Sequence, residues 1–98
     1  MKTRKGMRAV HPGEVLREEF MKPLGLSANA LARSLKVSTA RVVGIARERR
    51  RVTADTALRL VRYFGGDARS WLDLQAAYDL SMAEKASGRK IAREVTPA

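Results

Sequence analysis

The sequence predicts an all-α domain of five helices, and three observations carry that prediction. Apolar residues recur at helical intervals along most of the chain. Ser27, Ser38, Thr53 and Asp67 each stand where such a stretch begins, and glycines stand where several end. There is no alternating strand pattern and no internal repeat.

The opening MKTRKGMRAV has neither periodicity nor a cap, so residues 1–10 are expected to form a flexible basic arm. His11-Pro12 begins the first helix: proline at the first helical position loses no needed N–H, and Glu14 suits the helix dipole. Val15, Leu16, Glu19 and Phe20 share one stripe through about Lys22, and Pro23 and Gly25 end it. Ser27 caps a second helix with Leu31 and Leu35 on the core side, and Lys36-Val37 is the break. Ser38 caps a third, turning Val42, Ile45 and Ala46 inward and leaving Thr39, Ala40, Val43, Gly44 and Arg47 outside. Thr53 caps a fourth, in which Ala54, Ala57, Leu58, Val61 and Phe64 follow the helical period until Gly65-Gly66. Asp67 caps a fifth, with Trp71, Leu74, Tyr78 and Met82, predicted to end near Gly88 and leave residues 89–98 as a flexible tail. The folded domain is thus expected over 11–88.

Two short helices joined by a three- to four-residue turn, the second amphipathic and basic at its far end, form a helix-turn-helix. Leu31, Ala32, Val37, Val42 and Ile45 supply its packing, and Ala32 lets the two helices approach. Charge falls on the same segment. The chain carries a net charge of +10. Residues 33–62 hold nine basic side chains against Glu48 and Asp55, which points to a polyanionic partner.

Other classes find little support. With no Cys and a single His there is neither a disulfide framework nor a convincing metal site, and no cofactor or small-molecule ligand is expected. Five aromatics are too few for a single-strand stacking groove. Glu14 and Glu18 read as solvated acids beside Arg17 rather than a catalytic pair, so the chain is not expected to be an enzyme. No apolar run reaches the length of a signal or membrane span, and a soluble, cytoplasmic protein is expected.

HPGEVLREEF, LGLSANALARSLKVSTARV and TADTALRLVRYFGGDARSWLDLQAAYDL together resemble the HigA (VapI-like) antitoxins, within the lambda-repressor-like fold. The likeness runs from His11 to about Leu80. It implies a homodimer that binds operator DNA, represses its own operon and neutralises a RelE-like (HigB-type) toxin that cleaves mRNA. It also places Ser27 and Ser38 at helix caps that touch phosphate, Thr39, Ala40, Val43 and Gly44 in the groove, and Arg47 and Arg49 at the end of the recognition helix. Three positions depart from the family pattern: Ala28 in place of Gln, Lys36 in place of the turn Gly, and Arg47-Glu48 in place of Asn-Gly. The last would let the third helix run on into the arginines. A regulator of the same fold without a toxin is the alternative, and an interaction module that ignores DNA is a third reading.

Base reading then falls to Thr39, Ala40, Arg41, Val43, Gly44 and Arg47. Only Arg41 and Arg47 are long enough for a bidentate contact to guanine, and either can lie on a phosphate instead. Arg49, Arg50 and Arg51 are expected to clamp the DNA backbone. Because the toxins of this family are basic, the acids Glu14, Glu18 and Glu19 on helix one, or Asp73 and Asp79 on helix five, are the candidate toxin surface. Trp71, Leu74 and Tyr78 on the fifth helix, over 67–86, are the candidate dimer seam; the rival is that they close the monomer's core.

Overall fold

The computed structural model describes residues 8–98, and most of the anticipated arm lies outside the described residues. Five helices follow in order. Helix α1 spans residues 12–24, α2 Ala28–Leu35, α3 Thr39–Ala46, α4 Ala54–Phe64 and α5 Ala68–Glu94. Helices α1 to α4 wrap around Leu16, Leu31, Ile45, Leu60, Val42 and Val52, and the first part of α5 closes the core with Trp71.

Helix α1 is not uniform. Pro12–Val15 and Lys22–Leu24 are α-helical, but Leu16–Met21 between them is a π-helical turn. Proline cannot donate to the carbonyl one turn back and its ring presses on it, and a wider turn ahead of Pro23 relieves both. The helix therefore continues past Pro23 to Leu24. The wide turn also alters the stripe: Leu16 and Met21, five apart, are both buried, Phe20 is half-buried and Glu19 faces solvent. Gly25, at φ 63°, then stops the helix, and the Leu26 N–H reaches back to the Met21 carbonyl at 2.9 Å.

The start of α1 is pinned on three sides. His11 Nδ1 accepts from the Gly13 N–H at 2.8 Å, capping the helix. The same ring meets Tyr78 of α5 edge-on at 4.8 Å. Gly13 lies so close to α3 that an added Cβ would sit 1.7 Å from the Ile45 carbonyl oxygen. Arg8 makes a bidentate pair with Glu14 at 2.7 and 3.0 Å, and Val10 packs on the core. The part of the arm from Arg8 onward is thus attached to the domain.

Ser27, Ser38, Thr53 and Asp67 each cap the helix assigned to them, their side chains accepting backbone N–H groups. On α4 the inward residues are Thr56, Ala57 and Leu60, while Leu58 is 61% exposed. The expectation for Leu58 fails because Ala57 and Leu60 already fill the buried face, and residue 58 falls a third of a turn away. Helix α5 extends to Glu94 and does not stop at Gly88. One glycine costs a helix only about 1 kcal/mol, and Ser87, Arg89 and Lys90 on either side continue the backbone pattern. Beyond Met82 most residues of α5 are exposed, and the helix overhangs the core, giving dimensions of 50 × 26 × 22 Å.

Burial holds the His11 imidazole below its ordinary value of 6.5, against the opposing pull of Glu48 and Asp79. The folded state therefore prefers the neutral ring that accepts from Gly13. The resulting stability is complete above the unfolded value and is lost as pH falls through the folded one. Urea unfolding between pH 7 and pH 5 is expected to show a declining midpoint in the native chain. In His11→Asn, which caps without titrating, that decline should be absent.

Candidate nucleic-acid interface

Helices α2 and α3 meet around Ala32, which is fully buried with Leu31, Leu35, Val42 and Ile45. The turn between them bends at Lys36, which is left-handed at φ 60°. The Val37 N–H closes that turn on the Ala32 carbonyl at 3.1 Å, and Arg59 of α4 donates to the Leu35 carbonyl at 2.9 Å. A left-handed residue other than glycine is strained by about 1–2 kcal/mol, and these two bonds hold it.

The far end of α3 is closed as completely. The helix stops at Ala46, Arg47 is its C-cap, and Glu48 takes the left-handed conformation at φ 63°. The anticipated run-on into the arginines does not occur: Val43 keeps its ordinary helical partner, while the last three carbonyls each find a donor outside the helical pattern. Val43 accepts from Arg47 N–H, Ile45 from Glu48, and Gly44 from both Arg49 and Arg50. The Ala46 carbonyl accepts from the Arg17 guanidinium of α1, which also reaches Glu48 at 3.4 Å. The loop that follows is tied down by Gln75 of α5. This residue is buried, its Oε1 accepts the Val52 N–H at 2.8 Å, and its Nε2 donates to Asp79 at 2.9 Å.

This framework sorts the predicted residues. Thr39 and Ala40 are exposed at the start of α3, and Val43 and Gly44 are half-buried further along. The aliphatic stem of Arg50 lies over Gly44, 2.8 Å from where a Cβ would be, so Gly44 is covered from within the chain. Arg47 and Arg49 are exposed and carry no ion pair to a described residue. Arg41 is turned away to Asp55 at 3.0 Å, and Asp55 also receives Arg59 at 2.8 Å. Those two hydrogen bonds, from Arg59 first and then Arg41, hold the Asp55 carboxyl below its usual range. Arg51 pairs with Asp79 at 2.9 Å. Arg41 and Arg51 are thus engaged within the protein, unlike Arg47, Arg49 and Arg50. Ser27 and Ser38 are exposed, and each hydroxyl oxygen accepts from its own helix while its hydrogen remains available to a phosphate.

Three further residues at the site carry no functional signal in the sequence alone. Asn29 of α2 accepts the Thr39 hydroxyl at 2.8 Å, bridging the two helices at the solvent face. Arg17 and Gln75 position the loop although neither belongs to it.

The remaining predicted surfaces change more. Glu14 is buried and paired with Arg8, so it does not join Glu18 and Glu19 on an acidic face. Its position at the entry of α1, facing the core, overrides the helical-face argument. Glu18 is held below its usual range by hydrogen bonds from Arg17 and then Lys22. Glu19 is exposed and rims a groove of about 230 Å³ with Asp67, floored by Phe20, Trp71 and Leu74. Trp71 is 6% exposed and packs against Phe20 at 5.5 Å, so it belongs to the monomer's core and not to a dimer seam. Leu74 and Tyr78 are half-buried beside it, and Leu80, Met82 and Ile91 are the apolar side chains that α5 leaves exposed.

The helix-turn-helix family pattern matches residues 18–71. The chain is 68% identical over 79 residues to virulence-associated protein I of Dichelobacter nodosus, covering 81% of this chain and 73% of that protein. The chain belongs to the helix-turn-helix family, in its HigA and VapI branch. The Pseudomonas aeruginosa antitoxin HigA, solved with the higBA promoter, is 48% identical to this helix-turn-helix chain. It superposes with a TM-score of 0.89, covering 92% of this chain and 98% of that one. The antitoxin GraA in complex with its operator is 48% identical, with a TM-score of 0.88 over 99% of this chain and 98% of that one. This is a family of DNA-binding regulators and antitoxins, not of enzymes. Among the described residues no cluster of His, Asp or Glu is arranged to hold a metal, and no helix is long and apolar enough to cross a membrane.

Two stability changes follow from the turn and the loop. Lys36→Gly is expected to raise stability by about 1 kcal/mol in urea unfolding, because glycine carries no left-handed penalty. Gln75→Ala should lower it by about 1–3 kcal/mol by leaving the Val52 N–H buried without a partner. In hydrogen exchange the Val52 amide should lose protection well before the core amides of α4.

Proposed function

We propose that this chain is a HigA-type antitoxin that binds operator DNA through α3 and the loop after it, and represses its own operon. The observation that supports this best is the exposed edge of Thr39, Ala40, Arg47, Arg49 and Arg50. It is held by the Ser38 cap at the start of α3 and by the bonded carbonyls at its end, and antitoxins of the same fold have been solved on promoter or operator DNA. Thr39 and Ala40 offer a hydroxyl and methyl groups to base edges, and the Thr39 and Ala40 methyls can contact a thymine methyl. Arg47, Arg49 and Arg50, with the Ser27 and Ser38 hydroxyls, hold the phosphates. Arg41 and Arg51 keep their carboxylates and contribute to the field more than to contacts.

In this reading the chain acts as a twofold homodimer, which would set two recognition helices about 34 Å apart, one turn of DNA. The exposed Leu80 and Ile91, eleven positions apart and so on one face of the overhanging part of α5, supply its apolar surface, while Tyr78 and Met82 lie on the other side of the helix. The second half of the proposed function is neutralisation of a RelE-like toxin by direct binding. Glu19 and Asp67, at the rim of the apolar groove between α1 and α5, and the exposed Asp73 of α5 are acids available to a basic partner, whereas Asp79 is paired with Arg51. The alternative, a regulator of this fold without a toxin, shares every DNA-binding residue. A toxin encoded alongside and retained by the purified chain separates the two.

Competition binding to the DNA upstream of its own gene, against a shuffled duplex at about 150 mM salt, tests the DNA reading. A preference of about a thousandfold or more is expected. Three free arginines per protomer give about six neutralised phosphates per dimer, hence a salt slope near five in log units. Arg47→Ala should reduce that slope by about two, while a slope near one in the native chain would sink the electrostatic account.

A further inference from the structure

We infer that Asn29 and Thr39 together form one composite reading group that selects adenine in the major groove. The inference rests on the DNA-binding reading above and names a specificity residue on α2, outside the recognition helix. The Thr39 hydroxyl donates to Asn29 Oδ1 at 2.8 Å, and both residues are exposed. A threonine hydroxyl has a single hydrogen. With that hydrogen given to Asn29, Oγ1 turns only its lone pairs outward. The asparagine amide has the opposite balance: Oδ1 is engaged by Thr39, while Nδ2 keeps both hydrogens and has no partner among the described residues.

The pair therefore shows one acceptor and one donor side by side. Adenine displays the complement in the major groove, with N6 donating and N7 accepting. Guanine shows two acceptors there, so its O6 would face the lone pairs of Thr39 Oγ1. Cytosine can give a hydrogen to Oγ1 but has no acceptor for Nδ2, and thymine has no donor for Oγ1. A single long amide side chain would do the same work from one helix. Here two short side chains, one on each arm of the helix-turn-helix, divide it.

Local structure holds the pair in place. Ser27 caps α2 two residues before Asn29, and Ser38 caps α3 immediately before Thr39. Each residue thus sits in the first turn of a capped helix, where the backbone is anchored. Ala28 and Ala40 beside them carry only methyl groups, leaving room for a base pair to approach.

The test begins with a half-site selected by the native full-length chain from a randomised duplex library. Affinities of the native chain, Asn29→Ala and Asn29→Asp are then measured on duplexes in which each base pair of that half-site is changed in turn, at one salt concentration. The native chain is expected to show one A·T pair whose replacement weakens binding about tenfold or more. In Asn29→Ala that penalty should fall to about threefold or less, with the other positions keeping theirs. In Asn29→Asp the donor becomes an acceptor, so preference at the same pair should move toward cytosine, whose N4 is a donor. Both variants are at an exposed site, and an unchanged melting temperature verifies their fold.

A uniform loss across the panel would make Asn29 a phosphate contact and overturn the inference. An unchanged profile in both variants would overturn it equally, while leaving the DNA-binding reading intact. Selection of no preferred site by the native chain would remove the DNA-binding reading, and the composite reader with it.

Discussion

Everything that faces outward on α3 depends on one close approach: the backbone of Gly13 lies against the carbonyl of Ile45. No side chain intervenes, because a Cβ at residue 13 would fall 1.7 Å from that oxygen. Contact of this kind fixes the separation and angle of two helices more tightly than interlocking side chains, which retain rotamer freedom. Around it the entry of α1 gathers three further ties. His11 caps the helix and meets Tyr78, Glu14 takes Arg8, and Arg17 closes the carbonyl at the end of α3. The HPGE segment thus acts as a joint between the recognition helix and α5.

The second joint lies at Gln75. Through the Val52 N–H it fastens the loop that carries the arginines, and through Asp79 it extends to Arg51. The two joints together divide five neighbouring arginines into two groups. Arg41 and Arg51 are drawn back onto carboxylates of α4 and α5, while Arg47, Arg49 and Arg50 project from a loop whose backbone N–H groups are mostly hydrogen-bonded. Positive charge so held costs little to reorganise when a polyanion arrives, since the conformational entropy of the loop has already been spent.

Much of this was legible from residue types alone, wherever the rule is local. Ser27, Ser38, Thr53 and Asp67 cap because a short oxygen-bearing side chain at a helix entry has an N–H within reach, whatever lies beyond. Val42, Ile45 and Ala46 point inward because α3 has only one apolar face. Failures occurred where a distant residue decides. Glu14 looks like a surface acid until Arg8 and the core are placed around it. Trp71 looks like a seam until Phe20 is seen to cover it. Glu48 accepts a left-handed backbone because Arg17, thirty-one positions away, caps the helix end and reaches the Glu48 carboxylate. The π-helical turn at Leu16–Met21 leaves only a faint trace in the sequence, the proline at 23, and helical periodicity cannot register an inserted fifth step.

Gly44 and Arg50 carry a consequence of another kind. The arginine stem rests where a side chain on residue 44 would otherwise stand, so the recognition helix borrows part of its surface from the loop. Neither position is free to diverge alone. A descendant that acquired a side chain at 44 would displace the Arg50 stem from its seat on the helix. One that lost the arginine would expose a bare patch of backbone on the face of the helix. The packing thus ties the two positions together, so that the residue tolerated at one depends on the residue at the other.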